Sequence, residues 1–364
     1  MRARQRFGAV LLPVAALALL GLTSPSEAGY SITNLGALGG DYVSSDAQGI
    51  NDSGQVVGYS YGRVGQAHAF LYSNGQMTDL GTLGGGNSHA TGINNSGQIV
   101  GYAQTTGGAG HAFLYSNGQM TDLGSLGTNS YALGINVNGQ VVGYFDATDS
   151  HEHAFLYSNG QMTDLGTFGG TDSFAEGIND SGQIVGYFDT ADGHAHAFLY
   201  SNGSVTDLGG LGGNHSFAYG INASGQVVGG SYTTGDAVGH AFLYSNGQMT
   251  DLGTLGGTES EAFGINDSGQ VIGTDYTLLR AFLYSNGQMT DLSSLGTAGF
   301  GSPLYLPTDI NNEGQIAADS LNQSTFLLTP TPAATAAPEP ASLTLLGLGA
   351  LGLLGYGWRK RKTD

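Results

Sequence analysis

The chain has 364 residues: 64 are Gly, 40% are apolar and none is Cys. Glycine is at more than twice its usual share of ~7%, but the apolar and aromatic content is that of a folded domain rather than a linker or a collagen. The lack of Cys excludes disulfide scaffolds, Cys-ligated zinc, iron–sulfur clusters and thiol catalysis. Of 28 acidic and nine basic residues, 25 acids but only Arg63 and Arg280 fall within 29–329, leaving that stretch near −23. Such a charge argues against nucleic acid and anionic membrane surfaces as partners. It leaves simple solubility, divalent cations or cationic polymers as its uses.

Taken in chain order, residues 1–28 read as a secretory signal peptide. Arg2, Arg4 and Arg6 form a basic start, residues 7–22 an apolar stretch, and Ser26-Glu27-Ala28 a small-residue site for signal peptidase. Cleavage between Ala28 and Gly29 is expected. The alternative, a retained anchor helix, is disfavoured by the short apolar stretch and by Pro13.

Residues 29–329 are repetitive. The Ile of a Gly-Ile-Asn core recurs at Ile50, Ile93, Ile135, Ile178, Ile221 and Ile265, and as Asp-Ile-Asn at Ile310, with spacings of 42 to 45. Each unit offers four strand-like segments, shown by the second copy. Residues 90–94 form a short first strand, 98–102 a second, 111–115 a third and 119–123 a fourth. The turn Asn117-Gly118 between the last two suits a type I′ hairpin, since both positions tolerate φ > 0. Four short strands per 40–45 residues is the size of a β-propeller blade. The phase adds a prediction: residues 30–40 align with a fourth strand and its turn, whereas the seventh unit stops after three strands at Phe326-Leu327-Leu328. An all-β, seven-bladed propeller is expected, closed by the N-terminal strand completing the last blade, with no free sheet edge.

The units resemble the HAF-repeat family of bacterial extracellular proteins. The resemblance rests on His68-Ala69-Phe70 and its four full repeats, becoming Arg280-Ala281-Phe282 in the sixth copy and Thr325-Phe326 in the seventh. It implies an exported repeat protein and brings no catalytic residues.

Residues 330–340 form a Pro/Ala/Thr-rich linker ending in Pro338-Glu339-Pro340. An apolar run over 341–358 follows, then a basic tail over 359–364 that contains Arg359, Lys360, Arg361 and Lys362. Eighteen helical residues reach about 27 Å, enough for a bilayer core, and the tail would stay in the cytoplasm. Motif, span and basic tail together resemble the PEP-CTERM sorting signal of Gram-negative bacteria. The resemblance implies a transient inner-membrane anchor, processing by an exosortase, and delivery to the cell surface or an extracellular polysaccharide matrix.

Chemistry is sparse. His68, His111, His153, His196 and His240 occupy one place in five units and are read as packing or hydrogen-bonding groups. His151/His153 and His194/His196 stand at i, i+2 and so share a face where each pair can ligate zinc or copper, but neither has a third ligand. The Asp of each Thr-Asp-Leu (Asp79, Asp122, Asp164, Asp207, Asp251, Asp291) is read as a cap on backbone N–H groups. No cofactor is expected. Calcium is the open possibility, on composition alone. Asp46, Glu176 and Glu261 lie near first strands in single units and would have to converge for glycosidase chemistry.

Variation is concentrated in the loops 61–67, 146–152 and 233–239 and in aromatics approaching the first strand: His89, Tyr131, Phe174, Phe217 and Tyr219. These are the candidate binding residues, able to stack on sugar rings; the other reading is that they fill gaps between blades. The sequence thus points to a non-catalytic, surface-sorted module that binds polysaccharide or a surface protein. The alternative is an extracellular carbohydrate-active hydrolase or lyase.

Overall fold

The computed structural model describes residues 29–331 apart from 40, 41, 64 and 295–302. The described chain forms seven four-stranded antiparallel sheets. Blades 1 to 6 cover residues 42–79, 84–124, 130–166, 172–207, 212–253 and 260–291, and blade 7 covers 304–330. The strand Tyr30–Asn34 pairs with Thr325–Pro330, from Tyr30 opposite Pro330 to Asn34 opposite Phe326, and completes the seventh blade. This is the closed seven-bladed β-propeller expected from the phase of the repeats.

The repeat motifs build the core by strand alternation, because neighbouring residues on a strand face opposite sides of the sheet. In blade 1, Val56 packs with Phe70 on one face, while Val57 and Ala69 pack on the other against Phe113 of blade 2. Each Val-Val and Ala-Phe pair therefore supplies one side chain to each flanking joint. The result is seven buried clusters. Phe70, Phe113, Phe155, Phe198, Phe242 and Phe282 are fully buried, each contributing about 1.5–3 kcal/mol.

Every first strand carries a bulge at one position: Gln48, Thr91, Leu133, Glu176, Tyr219, Phe263 or Thr308. A bulged residue is re-aimed out of the ladder, and these seven all line the central channel. The distortion pushes a first-strand carbonyl against the second strand. A Cβ at Gly58 would lie 2.0 Å from the Asp46 carbonyl oxygen, which is why the Val-Val-Gly glycine is required there.

One expectation needs adjustment. The first strand of the second unit is longer than 90–94, running Gly84–Ile93, because its glycine-rich lead continues in pairing after an irregularity between Gly84 and Ser88. The signal peptide, PEP motif, apolar run and basic tail lie outside the described residues. Among the described residues, no helix is long and apolar enough to cross a membrane.

Candidate functional site

The seven first strands converge on the axis, so each end of the channel is a ring of seven equivalent positions. At the C-terminal ends of these strands stand the Asn residues of Gly-Ile-Asn. Each Asn Nδ2 donates to the backbone carbonyl of the next: Asn51 to Asn94, then Asn136, Asn179, Asn222, Asn266, Asn311 and back to Asn51, at 2.9–3.2 Å. The other Nδ2 hydrogen reaches the Gln four residues on, as from Asn51 to Gln55 Oε1 at 2.8 Å. Asn51 Oδ1 accepts from the N–H groups of Ser53 and Gln55. Both donors and both acceptor sites of the amide are used. The result is a saturated hydrogen-bonded ring that sequence reasoning missed, although seven Asn residues in one motif position were its signal.

At the opposite end lies a belt of rings. Within blades 2, 3 and 4, cross-strand pairs stack: His89 on Tyr102 (4.7 Å between centroids), Tyr131 on Tyr144 (4.8 Å) and Phe174 on Tyr187 (4.8 Å). Between blades the contacts are edge-on: Tyr59 to His89 (4.4 Å), Tyr102 to Tyr131 (5.1 Å), Tyr144 to Phe174 (5.0 Å) and Tyr187 to Phe217 (5.0 Å). Both geometries suit the ring quadrupole. His89, Tyr131 and Phe174 are each held between two rings of this belt. Phe217 and Tyr219 are differently placed.

The belt stops at Phe217. The residue opposite it, where blades 1 to 4 have Tyr59, Tyr102, Tyr144 and Tyr187, is Gly230. A pocket of about 220 Å³ opens there, lined by Phe217, Gly230, Tyr232, Glu259, Glu261 and Tyr276 among others. Glu261 comes from the next blade and folds over the glycine: a Cβ on Gly230 would lie 2.7 Å from Glu261 Oε1. Tyr219 donates to Glu261 Oε1 at 3.1 Å and Tyr276 to Oε2 at 2.9 Å. Burial raises the Glu261 carboxyl above its usual range, and the two tyrosine hydrogen bonds oppose that rise. Burial also raises Tyr219 and Tyr276, so both stay protonated donors.

The three single-unit carboxylates do not meet in one cleft. Asp46 sits opposite Tyr59 in blade 1. Glu176 lines the channel from its bulge, half-buried, and burial pushes it up to about 7. Glu261 alone reaches the pocket. Two more raised carboxylates lie at the joint between blades 7 and 1. Asp309, pushed up to about 6 by burial, accepts from Ile50 N at 3.0 Å. Asp319, pushed up to about 7 by burial, accepts from Ala47 N at 3.2 Å and Thr325 Oγ1 at 2.9 Å.

The recurrent His residues pair with the recurrent Asp residues of the fourth strand. The pairs His68–Asp79, His111–Asp122, His153–Asp164, His196–Asp207 and His240–Asp251 lie at 2.7–3.0 Å, and Arg280–Asp291 takes the place in blade 6 at 2.7 Å. Each Asp also caps an N–H two residues on, as Asp79 does for Gly81 at 2.8 Å. In the His151/His153 pair each ring has its own carboxylate, Asp172 and Asp164. Burial pulls His153 down, but Asp164 and Asp149 outweigh it and raise the imidazole. His194 faces His215, whose Nδ1 accepts from Ala195 N, so a neutral His215 carries its proton on Nε2. Among the described residues no three His, Asp or Glu side chains converge as a metal site.

Fold and site together define an all-β propeller whose belt of rings ends at a pocket between blades 5 and 6. Residues 336–362 match the PEP-CTERM protein-sorting motif, which makes the chain an exported, surface-sorted protein of the Gram-negative type. No curated protein matches it. Solved structures similar to it include virginiamycin B lyase from Staphylococcus aureus (12% identity, TM-score 0.56, covering 82% of this chain and 99% of that one). The extracellular domain of the putative hybrid two-component system BT4673 from B. thetaiotaomicron is similar at 13% identity and TM-score 0.51, over 82% of this chain and 39% of that one. The propeller domain of the trilobed protease from Pyrococcus furiosus is similar at 10% identity and TM-score 0.50, over 70% and 85%. At these identities the likeness is one of fold alone.

Proposed function

We propose that this protein is a non-catalytic module of the cell surface or extracellular polysaccharide matrix, and that its propeller holds a saccharide unit in the pocket between blades 5 and 6. The observation that carries this reading is Gly230, which ends the run of rings extending from blade 1 to blade 5 and leaves an aromatic wall, Phe217 and Tyr232, beside a hydrogen-bonded carboxylate. Sugar rings present apolar C–H faces and polar edges, and a small pocket with apolar walls and few convergent polar groups suits them. At about 220 Å³ it is below the ~300–1,000 Å³ of drug-sized sites, a fit to one ring rather than a chain segment. Phe217 and Tyr219 serve this site; His89, Tyr131 and Phe174 serve the belt.

The wider reading is an HAF-repeat protein with a signal peptide over 1–28, a repeat domain over 29–329, and a linker, transmembrane segment and basic tail over 330–364. Signal peptidase would act between Ala28 and Gly29, and an exosortase at Pro338-Glu339-Pro340 during transient inner-membrane anchoring.

The hydrolase or lyase alternative is less well supported. Glu259 and Glu261 are two apart at the start of one strand and line the same pocket wall, whereas glycosidases place two carboxylates on opposite sides of the scissile bond. The test is calorimetric titration of the purified whole protein with polysaccharide from producing cells. Saturable heat without shortening of the polymer is expected, abolished in Gly230→Tyr at unchanged fold. No heat would sink the glycan reading, and polymer shortening would establish the enzyme.

A further inference from the structure

The pocket between blades 5 and 6 is chemically one-sided. Its ionisable carboxylates, Glu259 and Glu261, have no Lys or Arg beside them. The repeat domain holds just two such cations; Arg280 is paired with Asp291 at 2.7 Å, and Arg63 belongs to the loop after the second strand of blade 1. Three aromatic side chains, Phe217, Tyr232 and Tyr276, complete the wall.

Glu261 is positioned but not saturated. Its two oxygens accept one hydrogen bond each, from Tyr219 and Tyr276, whereas an ionised carboxylate offers about four lone-pair sites. The tyrosines hold the carboxylate in place and leave acceptor capacity toward the opening. Glu259, two residues earlier, is exposed at the rim on the same face. A rigid acceptor, a second negative charge and aromatic faces together favour a compact cation with N–H donors. An anionic sugar meets like charge with nothing to offset it. A neutral sugar leaves the partly desolvated carboxylate without a counter-charge.

We propose that the pocket recognises an amine-bearing sugar, with the ammonium donating to Glu261 and lying against Phe217, Tyr232 and Tyr276, and with Glu259 drawing the cation in. This rests on the saccharide reading above and narrows it to one class of ligand, an amino sugar whose nitrogen is free rather than acetylated. The unusually acidic domain then has a use, since it would concentrate a cationic polymer around the site.

The experiment compares two probes on the whole protein, a glucosamine tetramer with free amines and its fully N-acetylated counterpart, alongside polysaccharide from producing cells. The free-amine tetramer should bind saturably at one site per chain and at least about tenfold more tightly than the acetylated one, the discrimination expected of a charge-assisted hydrogen bond. Glu261→Gln keeps an acceptor oxygen for one tyrosine and offers an N–H donor to the hydroxyl oxygen of the other, and should remove that discrimination. Gly230→Tyr leaves the net charge of the protein untouched, so a saturable site that vanishes in this variant is the pocket and not the acidic surface at large. Equal affinity for the two tetramers, or discrimination that survives Glu261→Gln or Gly230→Tyr, overturns the amine inference and leaves the saccharide reading standing. Binding of cell polysaccharide that is insensitive to chemical acetylation of its amines overturns it as well. If neither tetramer nor polysaccharide binds, the saccharide reading itself fails, and the inference with it.

Discussion

The two ends of the central channel are built on opposite principles. One is a ring of seven identical Asn residues, each satisfied within its own turn and linked to the next blade. The other is a belt whose members differ from blade to blade, with rings at four joints and a glycine and a glutamate at the fifth. A ring of reciprocal hydrogen bonds requires the same residue in every copy, because one missing donor leaves a buried carbonyl unpartnered. Stacked rings are more permissive: His, Tyr and Phe can replace one another, and a position can be emptied without breaking a covalent or hydrogen-bonded chain. Uniformity at one end holds the propeller together, and tolerance at the other is where a ligand site can arise.

That contrast can be broken most severely at the closure. Removing residues 29–38 takes away the strand Tyr30–Asn34 and exposes the edge of Thr325–Pro330, opening the circle on which the last Asn link, Asn311 to Asn51, depends. Loss of a cooperative unfolding transition, with aggregation through the bare edge, is expected by circular dichroism and light scattering; an intact transition would mean that the ring does not need closing. Next in size is Asn179→Ala, which deletes a donor to the Asn222 carbonyl and the acceptor for two turn N–H groups. It should cost about 3 kcal/mol or more in denaturant unfolding, given roughly 1 kcal/mol or more for each buried partner left unpaired. His89→Ala in the belt should cost less, about 1–2 kcal/mol, and a reversed order would dissolve the comparison.

Between the two ends stands Glu176. Its folded pKa, about 7, is raised by burial above its ordinary value near 4.5, so the folded state holds the proton more tightly than the unfolded chain. Its contribution is therefore most favourable below pH ~4.5 and is lost as pH rises through about 7. Glu176→Gln removes that loss. Allowing for water in the channel, it should be more stable than the parent by about 1–2 kcal/mol at pH 8 and equal to it near pH 4. A constant difference across that range would rule out titration as the cause.

The smallest expected stability effect sharpens the comparison best. Gly230→Tyr with Glu261→Phe would extend the belt through the joint between blades 5 and 6. About 0.5–1.5 kcal/mol from the added ring contacts is offset by the Tyr219 and Tyr276 hydroxyls losing their acceptor, so little net change in stability, together with complete loss of saccharide binding, is expected. A folded variant that still binds would move the site elsewhere.

Much of this molecule was readable before its structure. The orphan strand at residues 30–34 and the three-strand seventh unit predicted the closure, and the Asp of Thr-Asp-Leu does cap the following turn, with Asn34 doing the same for Gly36 at 2.8 Å. The belt was half legible. Its first-strand members stand out by varying between copies, but their second-strand partners have the look of ordinary strand residues. The fifth copy reads Val-Val-Gly-Gly where the first four read Val-Val-Gly-Tyr or Ile-Val-Gly-Tyr, so the missing ring was present in the repeat pattern. Its meaning was not, because the side chain that folds over Gly230 comes from Glu261, 31 residues later and in another blade.

By itself the sequence determined the blade count, the strand order, the closure and the core. All of these follow from local turn chemistry and period-two alternation repeated seven times, which act within a single unit. Tertiary structure alone decided which copies differ in consequence. The Asn ring, the aromatic belt and the pocket exist only where neighbouring units meet around an axis, and contacts of that kind depend on the angle and distance between blades rather than on any run of residues along the chain.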